Sequence, residues 1–256
     1  MAVDYHKKGH VAIFTLNRPE VLNAVNSDVF KELNTAVEDF RDDPEVWVGI
    51  ITGAGERAFC AGADLKAIGS FRNISSGNSV FGGFLLTHQQ NIFKPLIAAI
   101  NGYCLGAGLE IALACDIRII ADHARLGMPE ATRGIVPQEG GTQRLPRMLN
   151  WCQAAELLFT GKHIDANEAY RIGLVNKIVP LEQLMPTALE WAENMCQLAP
   201  LALRAIKEAM LRGILGSLED GLVLERSLGA SIRNTEDYVE GRRAFIENRK
   251  PKYQGR

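Results

Sequence analysis

Leu96 to Asp116, LIAAINGYCLGAGLEIALACD, is the stretch whose reading decides the fold. Leu96 to Ile100 is an unbroken apolar run and reads as a buried strand. Asn101 and Gly102 interrupt it. Gly106, Ala107 and Gly108 are small enough to let another molecule approach the backbone. The run LEIALAC that follows reads as a short apolar helix. A helix that starts on a small-residue turn offers unpaired N–H groups and a partial positive charge, which suits an oxyanion or a phosphate. Glu110 is the anomaly, one turn into that helix among Leu109, Ile111, Ala112, Leu113 and Ala114. Burying a lone carboxylate there costs several kcal/mol and raises its pKa toward the range useful for proton transfer. A helix-start glutamate turned to solvent and favoured by the dipole is the competing reading.

The same pattern of strand, small-residue turn and helix start occurs upstream, in VWVGIITGAGERAFCAGADLKAI (Val46–Ile68). Two such turns can set two backbone N–H groups beside one ligand oxygen. Outward from this pair, Val11–Leu16 is expected as a strand. Ser27 is expected to cap an amphipathic helix over about 28–40, with Phe30, Leu33, Val37 and Phe40 on one face. The Ser/Gly/Asn-rich stretch from Gly69 to Gly83 reads as a mobile surface loop. A helix is expected from there to about Phe93. Ile117–Ala121 and Arg125–Met128 are expected strands, Gly134–Gly141 a loop and Thr142–Leu149 a short helix. From Cys152 onward the pattern is mostly helical. Strands thus dominate the first half and helices the last third, which points to a sheet-containing core with a helical C-terminal part.

At 256 residues and 47% hydrophobic content the chain can bury a large core. Its net charge of −2 gives no reason to expect nucleic acid or a membrane surface as partner. No apolar run reaches the roughly 18 residues of a spanning helix. MAVDYHKKGH at the start has neither an apolar signal core nor transit-peptide character. The five cysteines (Cys60, Cys104, Cys115, Cys152, Cys196) are scattered and read as reduced core thiols, so a cytoplasmic protein is expected. No metal-ligand spacing and no GxSxG elbow occur. A second acid, Glu130, follows Pro129 twenty residues after Glu110. The dinucleotide fingerprint fails here, since it needs glycine where Ile111 stands.

Three linked segments carry a resemblance: Ala61-Gly62-Ala63-Asp64-Leu65-Lys66; Asn101-Gly102-Tyr103 with Gly106-Ala107-Gly108-Leu109-Glu110; and Pro129-Glu130 with Gly140-Gly141-Thr142-Gln143-Arg144-Leu145. In this order they resemble the crotonase (enoyl-CoA hydratase/isomerase) superfamily, and the likeness runs from Asn17-Arg18-Pro19 to Phe245-Ile246-Glu247-Asn248-Arg249. The resemblance implies an α/β fold. Its core would be repeated ββα units over 1–195, followed by a helical trimerisation region over 196–256, with trimers often paired into hexamers. It also implies an acyl-CoA thioester substrate, in which coenzyme A is part of the substrate and no separate cofactor is needed. The thioester oxygen would lie between the N–H groups of Ala63 and Ala107, the latter at a position where the family more often has glycine. Ala61, Asp64, Leu65, Lys66, Gly106 and Phe245 would contact the substrate.

The chemistry expected is addition of water across a 2,3 double bond. Two N–H groups hold the enolate oxygen, Glu110 deprotonates the water that attacks Cβ, and Glu130 delivers a proton to Cα. Relatives that keep both glutamates resemble hydratases; those with one or neither tend toward isomerase, hydrolase, decarboxylase or dehalogenase chemistry. Two departures bear on the substrate. Gln138-Glu139 stands where simple hydratases have small residues, so Glu139 is a candidate third carboxylate of the pocket; a solvated loop or helix-start glutamate is the competing reading. Polar residues in this loop also occur in carnitinyl-CoA dehydratases and dienoyl-CoA isomerases, and FGGF (Phe81–Phe84) is similar to the carnitinyl enzyme. Asn248 replaces a phosphate-facing lysine, with Arg249 or Lys250 as substitutes or as a solvated basic tail. Lys66 and Arg57 are candidates for the nucleotide, against an exposed helix lysine and a turn residue. Tyr103 and His88 read as core or helix-face residues, Asp64 as a helix cap and Asp116 as the close of a helix–strand turn. A non-catalytic acyl-CoA-binding protein remains the alternative of a different class.

Overall fold

The structure is a computed structural model and describes residues 1–68, 83–88 and 91–256. The surface loop expected from Gly69, the first half of FGGF and part of the helix expected to reach Phe93 lie outside these residues. In chain order the strands and helices are β1 (Val3–Lys8), β2 (Val11–Leu16), α1 (Ser27–Asp42), β3 (Val48–Gly53), β4 (Ala58–Cys60), α2 (Leu65–Ile68), α3 (Leu85–His88), β5 (Leu96–Ile100), β6 (Tyr103–Leu105), α4 (Ala107–Ala114), β7 (Ile117–Ala121), β8 (Arg125–Gly127), α5 (Gly141–Met148), α6 (Trp151–Thr160), β9 (His163–Asp165), α7 (Ala166–Arg171), β10 (Lys177–Val179), α8 (Leu181–Met195), α9 (Pro200–Gly213), α10 (Leu218–Ile232) and α11 (Glu236–Ile246).

The strands divide between two sheets, one ordered β1-β2-β3-β5-β7-β10 and the other β4-β6-β8-β9. β2, β3, β5, β7 and β10 run parallel, as do β4, β6 and β8. Successive pairs therefore alternate: β3 in the large sheet leads to β4 in the small one and then to α2, and β5 leads to β6 and then to α4. These are the ββα units that the resemblance implies; the two similar sequence stretches show only strand, small-residue turn and helix start. Every residue of β3 and β5 is buried, which is why both read as apolar runs without alternation. Two buried asparagines brace the turns between sheets. Asn101 Nδ2 donates to the carbonyls of Gly53, Gly55 and Ala58, and Asn23 Nδ2 donates to Ala54 and Ala58. An amide supplies the donors that turn carbonyls lack when water is excluded.

α1 buries Val29, Leu33, Ala36, Val37 and Phe40, the stripe a 3.6-residue period predicts. Its cap is Asn26, whose side chain accepts from Val29 N, and not the expected Ser27. The backbone leaves extended geometry one residue earlier, and Asn and Ser are both good caps. α8 packs on β3, β5 and β7. Five short or polar strands were not expected. β1, with the sequence VDYHKK, is an edge strand pairing antiparallel with β2. β4, β6, β9 and β10 have three residues each, too few to show a period. Cys60, Cys104 and Cys115 are buried, but Cys152 is exposed on α6, so the expectation of core thiols fails there. No helix among the described residues is long and apolar enough to cross a membrane.

Candidate active site

The two small-residue turns meet at Gly62 and Gly106. Gly62 has φ +100° and Gly106 has φ +53°, a region that costs side chains dearly. A Cβ on Gly62 would lie 3.0 Å from Leu105 O and 3.8 Å from Ala107 N. A Cβ on Gly106 would lie 2.7 Å from Glu130 Oε1. Both turns approach this closely only because neither position carries a side chain.

This contact sets the two amides. Val25 N donates to Gly62 O and Asp64 N donates to Val25 O, each at 2.8 Å. That parallel bridge uses the groups on either side of Ala63, so Ala63's own N–H points the other way. Ala107 is the first residue of α4, where an N–H has no acceptor within the helix. Among the described residues neither amide has an acceptor. Ala107 does not adopt the left-handed conformation; among the described residues only Leu22, Asn23 and Asn248 do so without being glycine. Its departure from glycine therefore leaves the N–H in place. At the far end of α4, the buried Arg118 donates to the carbonyls of Ala112 and Cys115. A cation there satisfies the orphan acceptors and complements the helix dipole.

Glu110 faces inward from α4 and is 2% exposed. Its Oε1 accepts from Glu139 N and Gly141 N, each at 2.8 Å. Burial pushes its pKa up to about 7 against the pull of those two amides, and the carboxylates of Glu130 and Glu139 add to the rise. Glu130 stands on a short 3-10 helix, Pro129–Arg133, and is 8% exposed. Its Oε2 is buried and has no hydrogen-bond partner among the described residues. Burial raises its pKa as well. Glu110, Glu130, Ala63 and Ala107 line one cavity of about 130 Å³, with Ala61, Leu65, Phe84, Gly106 and the 135–139 loop around it.

Other expected residues fare differently. Ala61, Leu65 and Gly106 line the cavity. Asp64 does not; its Oδ2 accepts from Arg18 Nη1 at 3.1 Å. Lys66 is exposed on α2, and Arg57 is an exposed turn residue whose carbonyl accepts from Tyr103 N. Phe245 is 87% exposed on α11 and outside the cavity. Arg249 is engaged by two carboxylates: Glu240 accepts from its two terminal nitrogens at 2.6 and 2.9 Å, and Glu247 accepts from its Nε. Tyr103 is exposed at the start of β6 and is no core residue. Asp116 closes its turn as expected, with Oδ2 accepting from Leu96 N and Lys207 Nζ. Glu139 is not the solvated loop glutamate weighed above. It is buried, lines the cavity, and its Oε2 accepts from Phe84 N at 3.0 Å and from Thr87 Oγ1 at 2.6 Å.

Sequence reasoning missed the two amides that hold Glu110. The signal was present in Gly140-Gly141: a Cβ on Gly141 would lie 2.2 Å from Met128 Cε and 3.1 Å from Glu110 Oε1. It also missed Phe84, Ile135, Val136 and Pro137 as cavity wall.

The profile of the enoyl-CoA hydratase/isomerase family matches residues 6–256. The chain is 43% identical over 245 residues to the short-chain-enoyl-CoA hydratase of Clostridium acetobutylicum, covering 95% of this chain and 94% of that protein. It is 42% identical over 255 residues to the carnitinyl-CoA dehydratase of Proteus mirabilis, covering 97% of each. The crystal structure of an enoyl-CoA hydratase from Bacillus anthracis superposes with a TM-score of 0.90 at 38% identity, over the full length of both chains.

Proposed function

The chain belongs to the enoyl-CoA hydratase/isomerase family, and from that premise we propose that its cavity adds water reversibly across the 2,3 double bond of a short 2-enoyl-CoA thioester. The observation that carries this reading is the convergence of two buried glutamates and two unengaged amides on one cavity. The amides of Ala63 and Ala107 receive the thioester oxygen and stabilise the charge that builds on it as the enolate forms; one such donor is worth roughly 3–4 kcal/mol of barrier. Glu110, ionised and steadied by two N–H groups, removes a proton from the attacking water. Glu130, whose Oε2 has no donor among the described residues to favour the anion, carries the proton that goes to Cα. The volume of about 130 Å³ suits a short acyl group. Asp64, Lys66 and Phe245 remain candidates for contact with the coenzyme A part, outside the cavity itself.

The C-terminal helices support a further element of the same reading. Ile206, Met210, Ile214, Leu215, Leu218, Leu222 and Val223 are exposed along α9, α10 and the turn between them. Residues 196–256 associate copies of the chain as a trimer, or as two trimers, and cover this surface. The unpaired cysteines fit a reducing, cytoplasmic setting.

A second reading follows from the similarity to a carnitinyl-CoA dehydratase: the same groups run the elimination on a polar acyl group. A panel of enoyl-, dienoyl-, branched and polar acyl-CoAs, followed by enoyl absorbance, decides between them. Fastest turnover on crotonyl-CoA supports the first; turnover confined to a polar acyl group supports the second. Tight acyl-CoA binding with no turnover on any member rejects both in favour of a binding protein.

A further inference from the structure

Glu139 joins two segments that lie fifty residues apart in the chain. Its backbone N–H is one of the two donors to Glu110 Oε1. Its carboxylate, 5% exposed, reaches the other way: Oε2 accepts from Phe84 N and Thr87 Oγ1, and His88 Nε2 lies 3.1 Å from it. Arg144 closes the same joint, donating to Glu139 O and to Thr87 O. On its far side the 83–88 segment is tied to α1 by Leu85 N donating to Asn34 Oδ1. Phe84 is fully buried, lines the cavity beside Glu110 and packs on Phe30 with ring centroids 5.0 Å apart.

A buried carboxylate needs donors, and here a backbone amide and a hydroxyl of the opposite wall supply them. The wall is thereby fixed at a set distance from the catalytic carboxylate. We infer that Glu139 is a positioning residue that limits acyl length, by holding Phe84 as the wall of the acyl cavity at the point where its own amide holds Glu110. Glu139 touches neither the water nor the double bond in this role; it acts through Phe84. The kinetic form of the inference rests on the hydratase reading above.

The experiment compares kcat/KM for crotonyl-CoA and 2-octenoyl-CoA in the full chain. Glu139→Ala removes the clamp, so the preference for the shorter substrate falls by about tenfold or more, the scale on which pockets discriminate small changes in apolar size. Glu139→Gln keeps an oxygen at the Oε2 position and restores the wild-type preference. Phe84→Ala shifts the preference in the same direction as Glu139→Ala. A loss equal for both substrates in Glu139→Ala assigns the residue to general stability and overturns the inference. Should Glu139→Ala fail to fold, Thr87→Val removes one donor to the carboxylate and shifts the preference the same way by a smaller factor; an unchanged preference there overturns the inference. If the wild-type chain hydrates neither substrate, the hydratase reading falls by itself. Calorimetric affinities for butyryl- and octanoyl-CoA in the same variants then read the wall directly: a changed ratio upholds the clamp and an unchanged ratio rejects it.

Discussion

Glu110 rides on a regular apolar helix, and Glu130 on a tight 3-10 turn after a proline. Both are buried and both have raised pKa values, so burial does not distinguish them. Hydrogen bonding does. Two amides point at one oxygen of Glu110, while an oxygen of Glu130 is buried with no partner among the described residues. N–H groups favour the carboxylate over the acid; at Glu130 its own backbone N–H and the charge of Arg133 also favour the anion, against the larger effect of burial. On the reading proposed above, the two carboxyl groups divide the roles of base and acid in surroundings that differ at each.

The sharpest way to break this comparison is Glu110→Gln, which keeps both amide contacts and removes the base. Hydration of crotonyl-CoA should fall on the order of a thousandfold in kcat/KM. A near-wild-type rate would take Glu110 out of the mechanism. Glu130→Gln removes the proton donor and should cost roughly a hundredfold or more in the same assay. If its loss matched only that of a neutral surface change, the unpartnered oxygen would have no catalytic meaning.

The same contrast extends to stability. The folded pKa of Glu110 is raised from 4.5 to about 7, so between these values the folded chain holds a proton that the unfolded chain has released. Stability attributable to this group is full below the unfolded pKa and declines as pH rises to about 7. Glu110→Gln should therefore be the more stable protein at pH values above that window, by on the order of 3 kcal/mol, with the difference vanishing at acid pH. Denaturant midpoints at both ends of the window test this, and an equal difference at both would contradict it. The smallest effect is a slope: kcat/KM should drop by about tenfold per pH unit below the Glu110 pKa, as the base takes up a proton. A flat profile through neutrality would place the titration elsewhere.

Much of this site could be read along the chain because its parts are local. A strand, a small-residue turn and an apolar helix with one acid follow each other within Leu96–Asp116. Glu130 was readable for the same reason, two residues after a strand. The clamp at Glu139 was not, since its partners Phe84 and Thr87 are fixed by the fold and no local pattern marks them. Arg249 stood open between a substitute phosphate ligand and a solvated basic tail, and local sequence did not show its pairing with Glu240 on the preceding helix. The polar strand β1 and the three-residue strands β9 and β10 owe their existence to neighbours that supply hydrogen bonds, and their own residues show no period.

The near-contact of Gly62 with Gly106 has a consequence for anyone reshaping this protein. Each turn is the mould in which the other is cast, and Glu130 sits in the second mould. A methyl group added at Gly106 would collide with the Glu130 carboxylate before it met any ligand. Attempts to retune the grip on the carbonyl by redesigning one loop will therefore succeed only when the opposite loop and the acid beneath it are redesigned together.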